Sequence, residues 1–112
     1  VIKKARKPVR RVGATRAIQL ALYAKLKAKF LKEMTVCHCC GRSVHPQERD
    51  LHHFYGRTGR LLTWEPGFRM VHRHCHQVIH DNPRWAAAIG LLSPPALWNN
   101  YRAASATLAT VQ

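Results

Sequence analysis

Acid is what this chain has least of. Asp and Glu number five in 112 residues against nineteen Lys and Arg, and none of the five falls in residues 1–32. The uncompensated charge of +14 concentrates polyanions around the molecule, and nucleic acid is the natural partner, DNA before RNA. A highly charged surface that serves solubility, or an anionic membrane surface, is the plainer alternative. No apolar run approaches the length of a membrane span, and the N-terminal text lacks the charged-then-apolar layout of a secretory signal. The expectation is a soluble, cytoplasmic protein with no membrane role. A spaced disulfide framework is absent too: of Cys37, Cys39, Cys40 and Cys75, three crowd into four positions, which suits a metal better.

What is present divides the chain. Its length allows one domain, short enough to need a staple. Residues 1–13 are Lys and Arg with Pro8 and little apolar material, the composition of a flexible basic arm. Residues 14–33 hold Ala, Leu, Lys and Gln without Gly or Pro after Gly13, which predicts a helix from about Thr15, its cap, to Lys32. On it Ile18, Leu22, Leu26 and Phe30 recur every fourth position and are expected to face inward. Lys25, Lys29 and Lys32 form a neighbouring stripe that can track a phosphate backbone or simply face solvent. Beyond Glu33 every basic residue other than His is Arg.

Residues 34–92 are expected to form the core and 93–112 a helical tail. Within the core, a Cys-rich turn precedes a strand over Arg49 to Tyr55, and Gly56, Gly59, Pro66 and Gly67 punctuate a loop. A second strand over Phe68 to Val71 and a helical turn or two over His74 to His80 follow. Asn82 and Pro83 then open a short helix over Arg84 to Ile89.

Cys37-x-x-Cys40 followed by Gly41 is a tight turn that lets two thiolates reach one tetrahedral ion, and His72-x-x-Cys75 supplies a second pair at matching spacing. Zinc held by these four is structural and clamps the ends of the 31 intervening residues. Cys39 is an alternative to Cys37 or Cys40, and His74 or His38 to His72; adjacent Cys39 and Cys40 would make a strained chelate.

Eight histidines exceed what a core of this size satisfies. His52 and His53 are adjacent on the first strand and therefore point to opposite faces, so one can ligate a metal while the other faces substrate. His76 and His80 stand four apart on a helix, where two imidazoles can share one ion. His76 is also an alternative zinc ligand. Arg57, Arg60, Arg69 and Arg73 are candidates for phosphate contacts, and solubility is the rival for each.

The segments Leu51 to Arg57, Leu-His-His-x-x-Gly-Arg, and Cys75 to Pro83, Cys-His-x-x-Ile-His-x-Asn-Pro, resemble the HNH endonucleases, also called His-Me finger or ββα-metal proteins. The resemblance spans about Val36 to Leu92 and is nearest to small zinc-containing members from phages and bacteria. It implies a small α+β fold with a zinc-stabilised ββα-metal core, flanked by the basic helix and C-terminal helices, acting in a bacterial or phage-infected cell. It further implies His53 as general base, with His52, His76 and His80 holding one divalent ion, Mg2+ or Mn2+ or another, against the scissile phosphate. The products would carry a 5′ phosphate and a 3′ hydroxyl. The basic helix, with Lys25, Lys29 and Lys32, and Arg57, Arg60 and Arg73 would bind the nucleic acid. A homodimer, or a phage or host protein partner, is compatible with the resemblance. The asparagine that the family places about nine residues before the first helix histidine is missing: residues 64–69 contain none, Gly67 stands near that place, and Glu65 or a backbone group would have to substitute. The alternative is a non-catalytic, zinc-braced nucleic-acid-binding protein in a phage or ribonucleoprotein assembly. A weaker alternative is a scaffold that inhibits another protein.

Overall fold

The computed structural model describes residues 13–111; the basic arm expected over 1–13 lies outside them but for Gly13. The described residues form a small α+β fold built on two antiparallel strands and four α-helices. Helix α1, Ala14–Glu33, starts at Gly13 rather than at Thr15, which lies inside the first turn. Strand β1, Arg49–His53, pairs with β2, Phe68–His72, in a register that sets His52 opposite Arg69 and His53 opposite Phe68. The intervening loop tightens into two 3-10 turns, Gly59–Thr63 and Glu65–Gly67. Helix α2, Arg73–Asp81, follows β2 without a spacer, and α3, Pro83–Ala88, and α4, Tyr101–Val111, complete the order.

Two small apolar clusters hold these elements. One joins Cys37, Val44, Met70, Val71, Ile79, Ala86 and Leu91, with Phe30 and Leu31 of α1 laid against it. The other joins Tyr55, Leu61 and Ala104, with Trp64 and Tyr101 around them, and fastens α4 to the loop. Arg49 ties the first cluster to α1: its Nη1 donates to Leu31 O at 2.8 Å and its Nε to Val44 O at 3.0 Å.

The inward face expected on α1 exists only in its second half. Leu26 and Phe30 are partly buried, whereas Ile18 and Leu22 are 70% and 46% exposed. The cause is length: a helix of 20 residues runs about 30 Å, and strands of five residues offer only about 17 Å to lie on. The first turns overhang. Asn82 also departs from expectation. Its side chain does not cap α3; it turns back, and Nδ2 donates to Val78 O at 3.0 Å, closing the C-terminus of α2 while Pro83 starts α3. The tail differs as well: Pro94, Pro95 and a left-handed Asn99 delay the last helix to Tyr101.

Candidate metal centre and histidine cleft

The metal centre is built from two turns. In the first, Gly41 N–H donates to Cys37 O at 2.9 Å and Cys37 N–H to Arg42 O at 2.8 Å, with Gly41 at φ 74. A side chain is strained at that dihedral, and glycine reverses the chain tightly enough to bring Cys40 beside Cys37. The second is the first turn of α2, which carries Cys75 back toward His72. His38 N–H donates to Met70 O at 2.8 Å and docks the first turn on β2.

The sulfur atoms of Cys37, Cys40 and Cys75 and the ring of His72 place their donor atoms within 4.8 Å of one another. Cys40 Sγ is 3.4 Å and Cys75 Sγ 3.9 Å from His72 Nδ1. A tetrahedral zinc ion, with bonds of about 2.0–2.3 Å, separates its ligands by roughly 3.5–3.8 Å, so the set fits. Among the described residues this is the one group of three or more His, Cys, Asp or Glu that converges in this way. Cys39 packs on the first apolar cluster instead, and His38 and His74 are exposed and outside the group.

Electrostatics favour a cation there. Burial raises the Cys37 thiol, but N–H groups of Cys40 and His72 aimed at its sulfur, with the His72 ring, outweigh burial and lower it to about 6. Burial and the neighbouring Cys37 push Cys75 up to about 12. Cys75 cannot ionise readily beside Cys37 unless a cation offsets the burial and the repulsion between them. A zinc ion would supply that charge, and Cys37, Cys40, His72 and Cys75 would fill its four positions.

The second constellation forms a cleft of about 240 Å³, whose walls include His52, His53, Arg57, His76, His80 and Asn99. Alternation along β1 sends His52 and His53 apart. His52 faces α2, its ring 5.2 Å from that of His76, and its Nε2–H donates to Leu91 O at 2.7 Å. His53 faces α1, packed against Tyr23 and Phe68, and its Nε2–H donates to Leu62 O at 3.2 Å. A carbonyl oxygen only accepts, so each ring carries its proton on Nε2 and leaves the Nδ1 lone pair free. Burial lowers the pKa of both, that of His52 to about 4, so both are neutral near pH 7.

On α2, His76 and His80 bring their Nε2 atoms to 3.1 Å. Two imidazoles bound to one ion at about 2.0–2.1 Å lie roughly 3.0–3.4 Å apart, so this pair is spaced for sharing a metal. His52 does not close on them to make a three-donor group. The three histidines line one cleft without meeting at one point.

Asp50 is the residue that motif spacing missed. Its Oδ2 accepts from His76 Nδ1–H at 2.6 Å, which fixes the His76 tautomer and turns Nε2 toward His80. The signal was available, since position 50 shares the face of position 52 on a strand. Trp98 and Asn99 were missed for a different reason. They reach the cleft because Ser93 N–H donates to Phe54 O and Asn99 N–H to Tyr55 O, at 2.9 and 2.8 Å, a docking that no local pattern encodes.

Lys25, Lys29 and Lys32 are exposed on α1. It is Lys27 that sits nearer the cleft, with Nζ 6.0 Å from the Tyr23 ring centroid. Arg57 is exposed at the cleft with its guanidinium 5.9 Å from the same ring, and Arg60 lies over Tyr101 at 5.5 Å. Arg73 is exposed on α2 and donates to Gln47 O at 3.0 Å. Arg69 is occupied structurally: it donates to Pro66 O and Phe68 O and stacks on Phe54 at 4.8 Å. At the place of the missing asparagine, Gly67 is buried beside Tyr55 and Trp64, and Glu65 is exposed.

Compared with known proteins, the chain matches no family model, no curated protein and no solved structure. A functional reading therefore rests on the chain's own residues.

Proposed function

We propose that the chain is a metal-dependent endonuclease of HNH type that hydrolyses phosphodiester bonds, in DNA before RNA, with a structural zinc ion bracing the site. What supports the reading above all is that the four histidines singled out from the sequence line one cleft with complementary proton arrangements. His53, held neutral and with Nδ1 free, takes the proton of the attacking water. His76 and His80, oriented by Asp50, would hold a divalent ion, with His52 lining the same cleft. When bound, that ion stabilises negative charge on the scissile phosphate and the leaving 3′ oxygen. Arg57 and the basic face of α1 bind the flanking phosphates.

The test is nicking of supercoiled plasmid with magnesium or manganese. The parent protein should nick, His53→Ala should slow nicking at least about a hundredfold, the usual range for a general base, and His80→Ala should lose most of the metal-dependent activity. A parent that binds DNA but fails to cut it with any divalent ion would sink the nuclease. The second reading, a zinc-braced binding protein for nucleic acid, would then stand; it is favoured by the filled position at Gly67 and by the distance His52 keeps from the His76–His80 pair.

A further inference from the structure

Asn99 comes from outside the strand and helix that carry the histidines, yet it lines the same cleft. Its backbone is unusual. Among the described residues it is the one non-glycine with a positive φ, at 54°, a region that asparagine tolerates and most side chains avoid. The conformation is clamped by Asn99 N–H donating to Tyr55 O at 2.8 Å, two residues beyond His53. The side chain lies over Gly56, where any Cβ would fall 2.1 Å from Asn99 Oδ1. Glycine at 56 is thus what makes room for this amide.

The next residue has a separate task. Asn100 caps α4, its Oδ1 accepting from Ala103 N–H at 3.1 Å and its carbonyl from Ala104 N–H at 3.0 Å. The Asn99 amide has no such work. It is exposed at the cleft, makes no hydrogen bond within the described residues, and with Oδ1 toward Gly56 leaves Nδ2–H2 for an outside acceptor. An amide fixed by its backbone and left without a partner, in a strongly basic chain beside Arg57, suits an anionic oxygen.

We propose that Asn99 is a substrate-contacting residue of the cleft, its Nδ2 donating to a non-bridging phosphate oxygen of the bound strand. The proposal rests on the nuclease reading for its chemistry, and on geometry alone for the contact. The rival is that Asn99 merely fills a left-handed position, a task glycine performs equally well.

Two variants and two readouts separate these. Asn99→Gly keeps the backbone and removes the amide; Asn99→Asp keeps the shape and puts an anion where the donor was. Both should retain the parent's zinc content and melting temperature. Asn99→Gly should lower kcat/KM for plasmid nicking about 10–100-fold, the range for a hydrogen bond to a charged group, and Asn99→Asp should also weaken binding of a short mixed-sequence DNA duplex. In the intact chain, the Asn99 side-chain amide resonances, assigned by their loss in Asn99→Gly, should shift on titration with that duplex. Nicking by Asn99→Gly at the parent's rate would overturn the proposal. If the parent does not nick, the titration decides: a saturable shift with weaker binding by Asn99→Asp leaves the contact standing while the nuclease reading falls, and unmoved resonances overturn both.

Discussion

An imidazole offers one donor and one acceptor when neutral, and the partner of the first decides where the second points. In β1 those partners are backbone carbonyls: Leu91 O for His52 and Leu62 O for His53. Because the carbonyls belong to the chain itself, the tautomers are set before any ligand arrives. The burial that makes this possible has a thermodynamic consequence. His52 is 2% exposed and its pKa falls from 6.5 to about 4, so below pH 6.5 the unfolded chain takes up a proton that the folded chain refuses. This contribution to stability is intact above pH 6.5 and is lost as the pH falls toward 4, by about 3 kcal/mol in all. Urea melts between pH 7 and 4 without added divalent ion should show that slope, and His52→Gln, which keeps a donor for Leu91 O, should lack it. Asp50 acts on His76 as the carbonyls act on β1. Asp50→Asn leaves an acceptor but removes the charge, and should weaken Mn2+ binding at the His76–His80 pair about 10–100-fold by calorimetry; unchanged affinity would show that Asp50 does not support that pair.

At the scale of elements, the candidate site is a strand, a turn and a helix brought together by a knuckle. Zinc-site formation and folding should be one event, because Cys37 and Cys75 belong to segments that meet only in the folded chain. Cys40→Ser should lose the single tightly held zinc ion, measured by metal analysis, together with most of the α-helical circular dichroism; a folded, zinc-free variant would refute the ligand set. Much of this level was legible. The two-residue spacers of Cys37–Cys40 and His72–Cys75, the alternation at His52 and His53 and the four-residue spacing of His76 and His80 are local patterns, and each maps directly onto backbone geometry. What resisted reading depends on docking. Whether Ile18 packs inward is decided by how far the sheet extends beneath α1. Trp98 and Asn99 join the cleft through hydrogen bonds to Phe54 and Tyr55, distant partners in sequence. Tyr23, which packs on His53, is equally invisible to a motif that starts after α1.

For the molecule as a whole, charge is the dominant fact. With +14 spread over the N-terminal residues, α1 and the arginines that follow it, nucleic-acid binding should weaken steeply with salt. Replacing Lys25, Lys29 and Lys32 together by Ala should reduce the slope of log K against log salt by up to about 2.7 on B-DNA, close to 0.9 for each phosphate no longer neutralised. Filter binding or anisotropy at several ionic strengths measures this, and an unchanged slope would remove these three lysines from the interface. The melting temperature of that triple variant should hold within a few degrees, since all three side chains are exposed.

The two bonds from Arg49 bear on how that helix behaves. A guanidinium held by Val44 O and gripping Leu31 O in the last turn of α1 makes α1 a lever fixed at one end and not a tether, because swinging it would break the charge-assisted bond to Leu31 O, worth about 1.5–3 kcal/mol. The overhanging half of α1 then works as a ruler: on a bound duplex, phosphates held along its length would stand at a set distance from the histidine cleft, and the position of a cut would be measured from the grip and not from the base sequence.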